Sequence, residues 1–403
     1  MKKVLLITSR FPYGTGEQFL ETETAYYQKV VLTLMPKGRE EGKRDLPEHI
    51  TLDTFLVENS FKRKKLTYLL MALRHKVLYR ELFSENFFNL KKLKLFLGSL
   101  YLYEMYYELF DSYFRENPPA DDLTVYTYWN DETTYALQSL KAKFGYKLVS
   151  RIHGGDLYLE RRPFHYMPLK KHFNHHIETL YTITDQANGY LVKHYGFDPE
   201  RLILSRLGVE ERKIITPCSP KGHLSVVSCS FLTEVKQVHK IIEALKEAAK
   251  GLSHLTIHWT HIGGGVLYER LELLAKEHFE EMDNISYELT GDLDNREVYA
   301  FYTDNAIDLF INTSRSEGVP VSIMEAMSCH IPVIAPDVGG ISDMLTDGYN
   351  GHLLSPDPSI EEIATALRDV DFYKKADTRI HSYELFLKKY NAKDNYTEFV
   401  QNI

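Results

Sequence analysis

The chain has 403 residues, and its 44% hydrophobic and 26% charged residues are ordinary for a globular protein long enough to form two cores. A formal net charge of −8 makes nucleic acid an unexpected partner. The isolated cysteines, Cys218, Cys229 and Cys329, exclude a disulfide framework and a spaced zinc motif, and they fit a reducing compartment.

No stretch of the sequence is long and apolar enough to span a bilayer. The N-terminal MKKVLLITSRF has two lysines and a short apolar run, but it lacks the long apolar core and the cleavage site of a signal peptide. This segment is better interpreted as a first buried strand. We therefore expect a cytoplasmic protein.

Apolar runs separated by turn-rich or helical segments predict a parallel sheet in the first half of the chain. The loop after the first run contains Gly14 and Gly16, a weak signal that an NAD enzyme would share. The third glycine of a dinucleotide fingerprint is missing, as is the acidic residue expected after a second strand. The predicted strands are Val4–Thr8, Lys29–Pro36, Leu123–Tyr128, Tyr146–Ile152, Leu180–Thr184 and Leu202–Ser205.

Residues 60–115 combine cations with leucines and aromatic residues at helical spacing. From Lys62 to Lys94 only Glu81 and Glu85 oppose the cations, which are Lys62, Arg63, Lys64, Lys65, Arg74, Lys76, Arg80, Lys91, Lys92 and Lys94. A basic amphipathic helix in an acidic chain indicates docking on an anionic membrane surface. A helical insertion with one core face and one solvated basic face explains the same periodicity, so both interpretations stay open.

His153 follows a predicted strand directly and precedes two glycines and Asp156. Ligand sites lie at the carboxyl ends of parallel strands, so this placement makes His153 a candidate site residue. Asp156 and Arg151 are weaker candidates for contact with an acceptor substrate. A group of three histidines resembles a metal site but lacks a carboxylate motif, and we interpret it as surface residues or inter-helix packing: these are His172, His175 and His176.

The turn-rich segment TPCSPKG, residues 216–222, lies between two apolar segments and is the best domain boundary. Beyond it we predict strands at Leu224–Cys229, His258–Ile262 and Ile285–Leu289. The pair Asp292 and Asp294 has the spacing of a DxD metal motif, but Asp294 precedes a helical segment and is predicted to cap it.

The stretch 306–343 predicts a βαβ unit. An apolar run, Ala306–Ile311, is followed by a polar loop, by a helix opened by Pro320, and by a second strand, Ile331–Ala335. The loop before the helix therefore lies at the carboxyl edge of a parallel sheet.

Two carboxylates, Glu317 and Glu325, flank the start of this helix. The main-chain N–H groups of Gly318, Val319, Val321 and Ser322 lie between them, and unpaired N–H groups at a helix start attract phosphate. A carboxylate on each side of a phosphate site suits a nucleotide sugar, which has hydroxyls at both ends of a diphosphate. The plainer interpretation is a helix with two solvated glutamates.

The segment SRSEGVPVSIMEAM, with the trailing IPVIAPDVGG, closely resembles the donor-binding signature of retaining glycosyltransferases of family 4. The resemblance implies an α/β chain with the GT-B fold, in which two Rossmann-like domains have parallel sheets facing a central cleft. It implies an acceptor-side domain over 1–216 and a nucleotide-sugar-binding domain over 217–381. It further implies that a C-terminal helix, 382–403, packs back on the first domain.

The resemblance also implies roles for single residues. His153 would hydrogen-bond a hydroxyl of the transferred sugar, and Lys236 would contact the donor diphosphate. Glu317 would bind sugar hydroxyls, and Glu325 would bind the ribose. The donor is further expected to contact glycines and main-chain N–H groups at Gly14, Gly16, Gly264, Gly265, Gly291, Gly318, Val319, Val321 and Ser322.

Two positions depart from the family pattern. Phe231 stands where the family usually has an arginine, and Arg206 or Arg315 would have to compensate. His330 replaces the glycine usual after the Glu-bearing helix. Histidine tolerates left-handed backbone better than most residues, so we expect the turn to be kept.

The sequence thus predicts a retaining hexosyltransferase that uses a nucleotide diphosphate sugar, with UDP favoured, and a glycan or lipid-linked acceptor. It would act in surface polysaccharide or glycoconjugate synthesis by front-face transfer, with no obligatory metal or cofactor. A GT-B nucleotide-sugar epimerase and a non-catalytic GT-B partner protein remain the alternatives.

Overall fold

The structure is a computed structural model that describes residues 1–14, 16–62, 64–84, 89–173 and 176–403. The chain packs as two compact units. The first unit comprises Met1–Leu207 together with Lys393–Ile403, and the second comprises Gly208–Ala392. Each unit is a parallel sheet with helices packed against it.

In the described residues, the first unit has a parallel sheet of seven strands. They are β1 Lys3–Thr8, β2 Val31–Pro36, β3 Ile50–Leu52, β4 Leu123–Thr127, β5 Lys147–Ile152, β6 Thr179–Thr182 and β7 Leu202–Leu204. Across the sheet the order is β3-β2-β1-β4-β5-β6-β7. The chain builds outward in one direction from β1 and in the other from β4, so these two strands form the switch point at which ligands bind in open α/β sheets.

The helices of the first unit lie in the stretches between these strands. They are α1 Phe19–Thr24, α2 Phe55–Asn59, α3 Lys65–Met71, α4 Lys76–Ser84, α5 Leu90–Glu116, α6 Glu132–Phe144, α7 Gly154–Leu157 and α8 Asp185–Tyr195. Residues 60–115 are therefore mainly helical, as predicted. No helix in the described ranges is long and apolar enough to cross a bilayer.

The second unit has a parallel sheet of six strands. They are β8 His223–Cys229, β9 Thr256–Ile262, β10 Ile285–Leu289, β11 Leu309–Ile311, β12 Val333–Pro336 and β13 Gly351–Leu354. Their order across the sheet is β10-β9-β8-β11-β12-β13. The switch point therefore lies between β8 and β11. The edge strands β3 and β13 have three and four residues and were not predicted, because so short a run carries little periodic signal.

Seven helices of the second unit and one final helix complete the described chain. They are α9 Val238–Gly251, α10 Tyr268–Phe279, α11 Asn295–Asp304, α12 Val321–Ser328, α13 Ile360–Leu367, α14 Val370–Lys374, α15 Ala376–Tyr390 and α16 Ala392–Asn402. The predicted single helix over 382–403 is instead the end of α15 and the whole of α16. Asn391, with extended backbone, separates the two helices.

Main-chain pairing explains why the second unit begins at Gly208, ahead of the predicted boundary at 216/217. The Val209 N–H donates to Tyr390 O at 3.0 Å, and the Thr216 N–H donates to Cys329 O at 3.2 Å. Residues 208–216 are thus bonded to the second unit. In the first unit, α16 places Phe399 against the rings of Tyr126 and Tyr181, at centroid distances of 5.3 and 4.8 Å.

Candidate functional site

The switch point of the second unit brings together two of the predicted site residues. Lys236 lies in the segment after β8, and Glu317 lies in the loop after β11. The Lys236 Nζ is 2.7 Å from Glu317 Oε1, and Asn312 Nδ2 donates to the same oxygen at 3.2 Å. The Glu317 residue is only 7% exposed, so its carboxylate lies beside a cation in a largely desolvated site.

Main-chain contacts hold these two segments together. Gln237, which precedes α9, has left-handed backbone with a φ of 49°. The Thr313 hydroxyl donates to the carbonyl oxygens of Lys236 and Gln237 at 3.2 and 3.1 Å. The Arg315 N–H donates to Val235 O at 2.8 Å. The positions of Lys236 and Glu317 are therefore set by the backbone as well as by their ion pair.

Helix α12 begins beside Glu317, as the βαβ prediction required. Pro320 is its N-cap rather than its first helical residue, and no side chain caps this end. The first N–H groups of a helix have no acceptor inside the helix, so those of Val321 and Ser322 are suited to an anion. The roles predicted for Gly318, Val319, Val321 and Ser322 stay predictions.

A glycine pair after β12 supports the Glu317 loop, a role that the sequence analysis missed. Gly339 has a φ of 61°, and a Cβ built there would lie 1.9 Å from Glu317 O. The Gly340 N–H donates to Gly318 O at 2.7 Å. Only glycine permits so close an approach in this backbone conformation. The Gly-Gly turn in the sequence was the available signal.

Glu325 is buried in α12 with one amide partner. Asn295 Nδ2 donates to Glu325 Oε1 at 2.5 Å, and the residue is 7% exposed. Burial raises the pKa of Glu325 to about 7, against the opposing effects of the Asn295 bond and the Arg212 charge. Arg212, whose guanidinium lies 5.2 Å from the Tyr299 ring centroid, was not predicted, and neither was Asn295.

Replacing Glu325 with glutamine is expected to flatten the pH dependence of stability. Folding raises the pKa from 4.5 to about 7, so the folded chain holds a proton that the unfolded chain releases. This carboxyl therefore stabilises the fold fully below about pH 4.5, and that stability is lost as the pH rises through about 7. At about pH 8 the ionised Glu325 should lower the free energy of unfolding of the wild type by up to about 3 kcal/mol, and the variant should not show this decrease.

Urea unfolding across this pH range measures the effect. Glu281→Gln is the control, because it removes a carboxylate from the exposed surface of the same unit. Equal pH slopes in the wild type and the Glu325→Gln variant would contradict the expectation.

The glycine loop after β9 packs against the loop after β8. A Cβ on Gly263 would lie 2.1 Å from Ser230 O, and one on Gly265 would lie 2.6 Å from Leu232 O. The Gly264 N–H donates to Asp292 Oδ1 at 2.7 Å, and Gly291 O accepts from the Gly263 N–H at 2.8 Å. These contacts explain the glycines structurally, and donor contact at Gly264, Gly265 and Gly291 stays a prediction.

The two aspartates of the DxD sequence have separate structural partners. Asp294 caps α11, as predicted, by accepting from the N–H groups of Arg296 and Glu297 at 2.8 and 2.9 Å. Asp292 binds Gly264. Within the described ranges, no group of three or more His, Cys, Asp or Glu side chains is placed to hold a metal ion. The absence of a metal requirement remains a prediction.

The two atypical positions differ in how well the structure explains them. Phe231 is 57% exposed in the loop after β8. Arg315 is exposed in the same unit, whereas Arg206 pairs with Asp185 in the first unit, so compensation for the missing arginine stays a prediction. His330 adopts the expected left-handed backbone, with a φ of 63°, and its ring stacks on Tyr383 at 4.1 Å.

In the first unit, His153 lies directly after β5 with its ring buried. It is 8% exposed, and its ring centroid lies 4.6 Å from that of Tyr128 and 4.5 Å from that of Trp129. Neither ring nitrogen has a hydrogen-bond partner in the described part of the chain. Burial, aided by the Arg151 charge, lowers the pKa of His153 well below its usual range. The imidazole is thus neutral and offers one donor and one acceptor.

A buried polar network holds the main chain at His153. Asp156 accepts from the main-chain N–H groups of His153 at 2.6 Å and Asn130 at 2.7 Å. Lys170 Nζ, which is fully buried, donates to Asn130 Oδ1 at 2.7 Å. Burial raises the pKa of Asp156 to about 6 and lowers that of Lys170 to about 8. Asn130 and Lys170 were missed, because their partners lie 26 and 40 residues away.

Two weaker candidates have structural partners that the sequence did not reveal. Both Asp156 oxygens are used by the main chain, as described above. Arg151 is fully buried, pairs with Glu23, and lies 4.2 Å from the ring centroid of Phe399. Neither is therefore placed for acceptor contact.

The predicted packing role of the histidine group is confirmed for His172, whose Nε2 is 2.7 Å from Glu81 Oε2. His176 is exposed, and His175 lies outside the described residues, as do Arg63 and Glu85 of the basic segment. Gly14 donates its N–H to Gly42 O at 3.0 Å, and Gly16 O accepts from Arg44 at 2.9 Å. Donor contact at these glycines stays a prediction.

Comparison with known sequences finds a family similar to most of the second unit. Residues 215–380 match the model of the family described as glycosyl transferases group 1. A putative colanic acid biosynthesis glycosyltransferase, WcaL of Salmonella typhimurium, is 28% identical over 55% of this chain and 55% of its own length. The O-antigen biosynthesis glycosyltransferase WbnH of Escherichia coli is 32% identical over 36% of this chain and 41% of its own length. The chain spans about half the length of the first curated relatives it matches.

Solved structures resemble the whole chain. The apo lipopolysaccharide outer core galactosyltransferase WaaB has a TM-score of 0.71 at 15% identity and covers 99% of both chains. Anabaena Alr3699/HepE in complex with UDP has a TM-score of 0.68 at 15% identity, covering 100% of this chain and 99% of its own. These neighbours are GT-B glycosyltransferases, which confirms the predicted fold class. Residues 215–380 are similar to the family glycosyl transferases group 1, and the chain has the GT-B fold.

Proposed function

We propose that the chain is a retaining glycosyltransferase of surface polysaccharide or glycoconjugate synthesis. It would move a hexose from a nucleotide diphosphate sugar, with UDP favoured, to a glycan or lipid-linked acceptor. One observation carries this proposal. The Lys236–Glu317 ion pair spans the switch point of the second unit, beside an uncapped helix start. A cation and free N–H groups at that edge suit a diphosphate.

Each residue of this site takes one part of the donor. Glu317 accepts hydrogen bonds from sugar hydroxyls, and Glu325 accepts them from the ribose. Lys236 and the N–H groups of Val321 and Ser322 bind the diphosphate. The neutral His153 hydrogen-bonds a sugar hydroxyl near the reacting carbon.

The reaction would proceed on one face of the sugar. The bond from the anomeric carbon to the diphosphate oxygen breaks as the acceptor oxygen forms its bond on the same face. The leaving diphosphate accepts the acceptor's proton, so no separate protein base is required. Lys236 stabilises the negative charge that develops on the diphosphate, which is the step where a fixed cation contributes most. We propose that lysine and helix N–H groups suffice without a metal.

Names of related proteins support the substrate class. The relatives above are named for colanic acid and O-antigen biosynthesis, and the HepE structure contains UDP. A further neighbour is the pneumococcal O-GlcNAc transferase GtfA with UDP and GlcNAc, at a TM-score of 0.56 and 18% identity over 73% of this chain and 59% of its own. These names favour a UDP-sugar donor and a saccharide acceptor.

UDP-sugars are expected to raise the melting temperature more than GDP- or ADP-sugars. A ligand that binds only the folded chain contributes about 2.7 kcal/mol at a hundredfold excess over its Kd. A thermal-shift screen measures this, and UMP, which lacks one phosphate, is the control with a smaller expected shift. No shift with any nucleotide would favour a non-catalytic protein. An altered sugar released without acceptor would favour an epimerase.

We also propose that the protein is cytoplasmic and docks on anionic membrane through α3 and α4. Helix α3 packs on α5 through Tyr68, whose ring lies 5.6 Å from that of Tyr101. The apolar residues at helical spacing along α3 and just after it are more than half exposed: Leu66 at 66%, Leu70 at 60% and Leu73 at 52%. In α4, Phe83 is 90% exposed. Apolar side chains exposed together mark an interaction surface.

The charge of this surface selects an anionic partner. Glu81, which was expected to oppose the cations, is only 3% exposed and faces His172 and Tyr166 inside the unit. The segment also exposes several cations: Lys62, Lys64, Lys65, Lys76, Arg80, Lys91 and Lys94. Apolar insertion combined with basic charge is the requirement for binding a membrane surface.

Sedimentation with lipid vesicles tests the membrane proposal. The protein should bind vesicles that contain phosphatidylglycerol better than pure phosphatidylcholine, and added salt should weaken the binding. The double variant Leu70→Asp, Phe83→Asp is expected to bind at least about tenfold more weakly, because two apolar side chains no longer insert. Leu273→Asp, at a leucine 58% exposed on α10, is the matched control. Equal loss in both variants, or equal binding to both lipids, would refute membrane docking.

A further inference from the structure

The segment after β1 folds around one of its own side chains. Glu17 accepts three main-chain hydrogen bonds, from Ser9 at 2.8 Å, Arg10 at 2.7 Å and Phe11 at 2.8 Å. Successive N–H groups that converge on one point form an anion-binding nest. In this chain the anion in the nest is the carboxylate of Glu17.

The same carboxylate reaches across the switch point of the first unit. Trp129, two residues after the end of β4, donates its indole Nε1–H to Glu17 Oε1 at 2.6 Å. Glu17 has a φ of 55°, a left-handed conformation that strains a residue with a Cβ. Four hydrogen bonds to one carboxylate offset this strain. A glutamate kept in strained backbone at a ligand-binding edge indicates a functional constraint.

Trp129 connects this carboxylate to the candidate site. Its half-buried ring lies 4.5 Å, centroid to centroid, from that of His153, whose two ring nitrogens have no partner among the described residues. Because the bond to Glu17 holds the indole by its N–H, the ring cannot turn without breaking that bond. The orientation of one wall beside His153 thus depends on Glu17.

We propose that Glu17 is a positioning residue that fixes Trp129 as the apolar wall of a sugar-binding subsite beside His153. The ligand is a sugar ring. Its C–H face packs on the half-buried indole beside His153. The identity of this ligand rests on the proposed function, whereas the fixing of Trp129 by Glu17 does not.

Fluorine NMR with fluorotryptophan tests the positioning directly. The chain has two tryptophans, Trp129 and Trp259, so it gives two resonances, and a Trp129→Phe variant identifies the first. Glu17→Gln places an amide where three main-chain N–H groups require an acceptor, and it should shift or broaden only the Trp129 resonance. Glu21→Gln, whose side chain is 66% exposed on α1, is the matched control and should leave both resonances unchanged.

Steady-state kinetics and calorimetry separate positioning from general damage. Glu17→Gln is expected to lower kcat/KM roughly 10- to 100-fold, because a misplaced site wall costs rate steeply. The Kd for UDP should change much less than kcat/KM, since Lys236, Glu325 and the helix N–H groups proposed to bind the nucleotide are in the second unit, and only the predicted contacts at Gly14 and Gly16 lie near Glu17. Glu17→Asp should recover part of the activity, because it restores a carboxylate.

Each outcome decides the proposal. It is overturned if the Trp129 resonance is the same in the Glu17→Gln variant and the wild type, or if kcat/KM stays at the wild-type level. It is also overturned if the UDP affinity falls in parallel with kcat/KM, because that result indicates structural damage. A wild-type protein without transferase activity would refute the proposed function alone, and the Trp129 resonance would then decide the positioning role by itself.

Discussion

Replacing Lys236 with alanine is expected to lower kcat/KM for the nucleotide-sugar donor by about a hundred- to a thousandfold, the usual effect of removing one fixed donor at a developing anion. In the free protein Lys236 Nζ lies 2.7 Å from Glu317 Oε1. The substitution removes the cation proposed to stabilise the diphosphate. It also leaves Glu317, only 7% exposed, with Asn312 but without its cation. Steady-state kinetics over a wide range of donor concentrations measures the loss.

A neighbouring lysine provides the matched control for this substitution. Lys240 lies on α9, and its Nζ is 2.7 Å from Asp357, whose side chain is 82% exposed. An ion pair with so exposed a partner contributes little, so Lys240→Ala should keep nearly full activity. Circular dichroism should show that both variants are folded.

A double variant tests whether the pair acts as a unit. If Lys236 and Glu317 bind one donor together, the losses from Lys236→Ala and Glu317→Ala should be strongly non-additive. Unchanged turnover in both single variants would refute the assignment of Lys236 and Glu317 to the donor site. Additive losses would assign the two side chains to separate steps.

Replacing Gly339 with alanine is expected to destabilise the second unit by about 2–5 kcal/mol, from left-handed strain of about 1–2 kcal/mol and overpacking of about 1–3 kcal/mol. The added Cβ would lie 1.9 Å from Glu317 O and 2.8 Å from Glu317 C. The main chain of Glu317 must therefore move. Urea unfolding and donor kinetics, measured below the melting temperature, should both show a large loss.

Gly348 separates the two contributions. It has a φ of 69°, close to the 61° of Gly339, but a Cβ there would meet no atom within 4 Å. Gly348→Ala should therefore cost only the strain of about 1–2 kcal/mol and leave kcat nearly unchanged. If both alanine variants lose the same stability and activity, the close contact between Gly339 and Glu317 does not contribute to either.

Local pattern predicted much of the second unit. The apolar run before the polar loop, the helical spacing after Pro320 and the next apolar run were sufficient to predict β11, α12 and β12. Glu317 and Glu325 were therefore placed correctly at the start and in the body of one helix segment. Periodicity within a short window decides such elements, because backbone conformation depends mainly on near neighbours and on which face is buried.

Local pattern was a poorer guide to the role of a side chain that is buried in the folded unit. Arg151 and Asp156 were read as acceptor contacts because they adjoin His153 in sequence, yet each is committed to a buried structural partner. Gly264 and Gly265 are predicted to lie near the nucleotide, and that prediction stays open, but their nearest neighbours are the Asp292 side chain and the Leu232 main chain. A sequence gives the residue type, but the cost of burying it depends on which groups surround it.

By itself, the sequence determined the alternation of strands and helices, the carboxylates around α12 and the left-handed turn at His330, since each depends on residues close together in the chain. Only the tertiary structure decided which side chains meet. Lys236 and Glu317 are 81 residues apart, and Glu17 and Trp129 are 112 residues apart. Both pairs form because β8 lies beside β11 and β1 beside β4, which places the loops after those strands at one sheet edge. Strand order results from packing the whole unit, and no short window of sequence contains it.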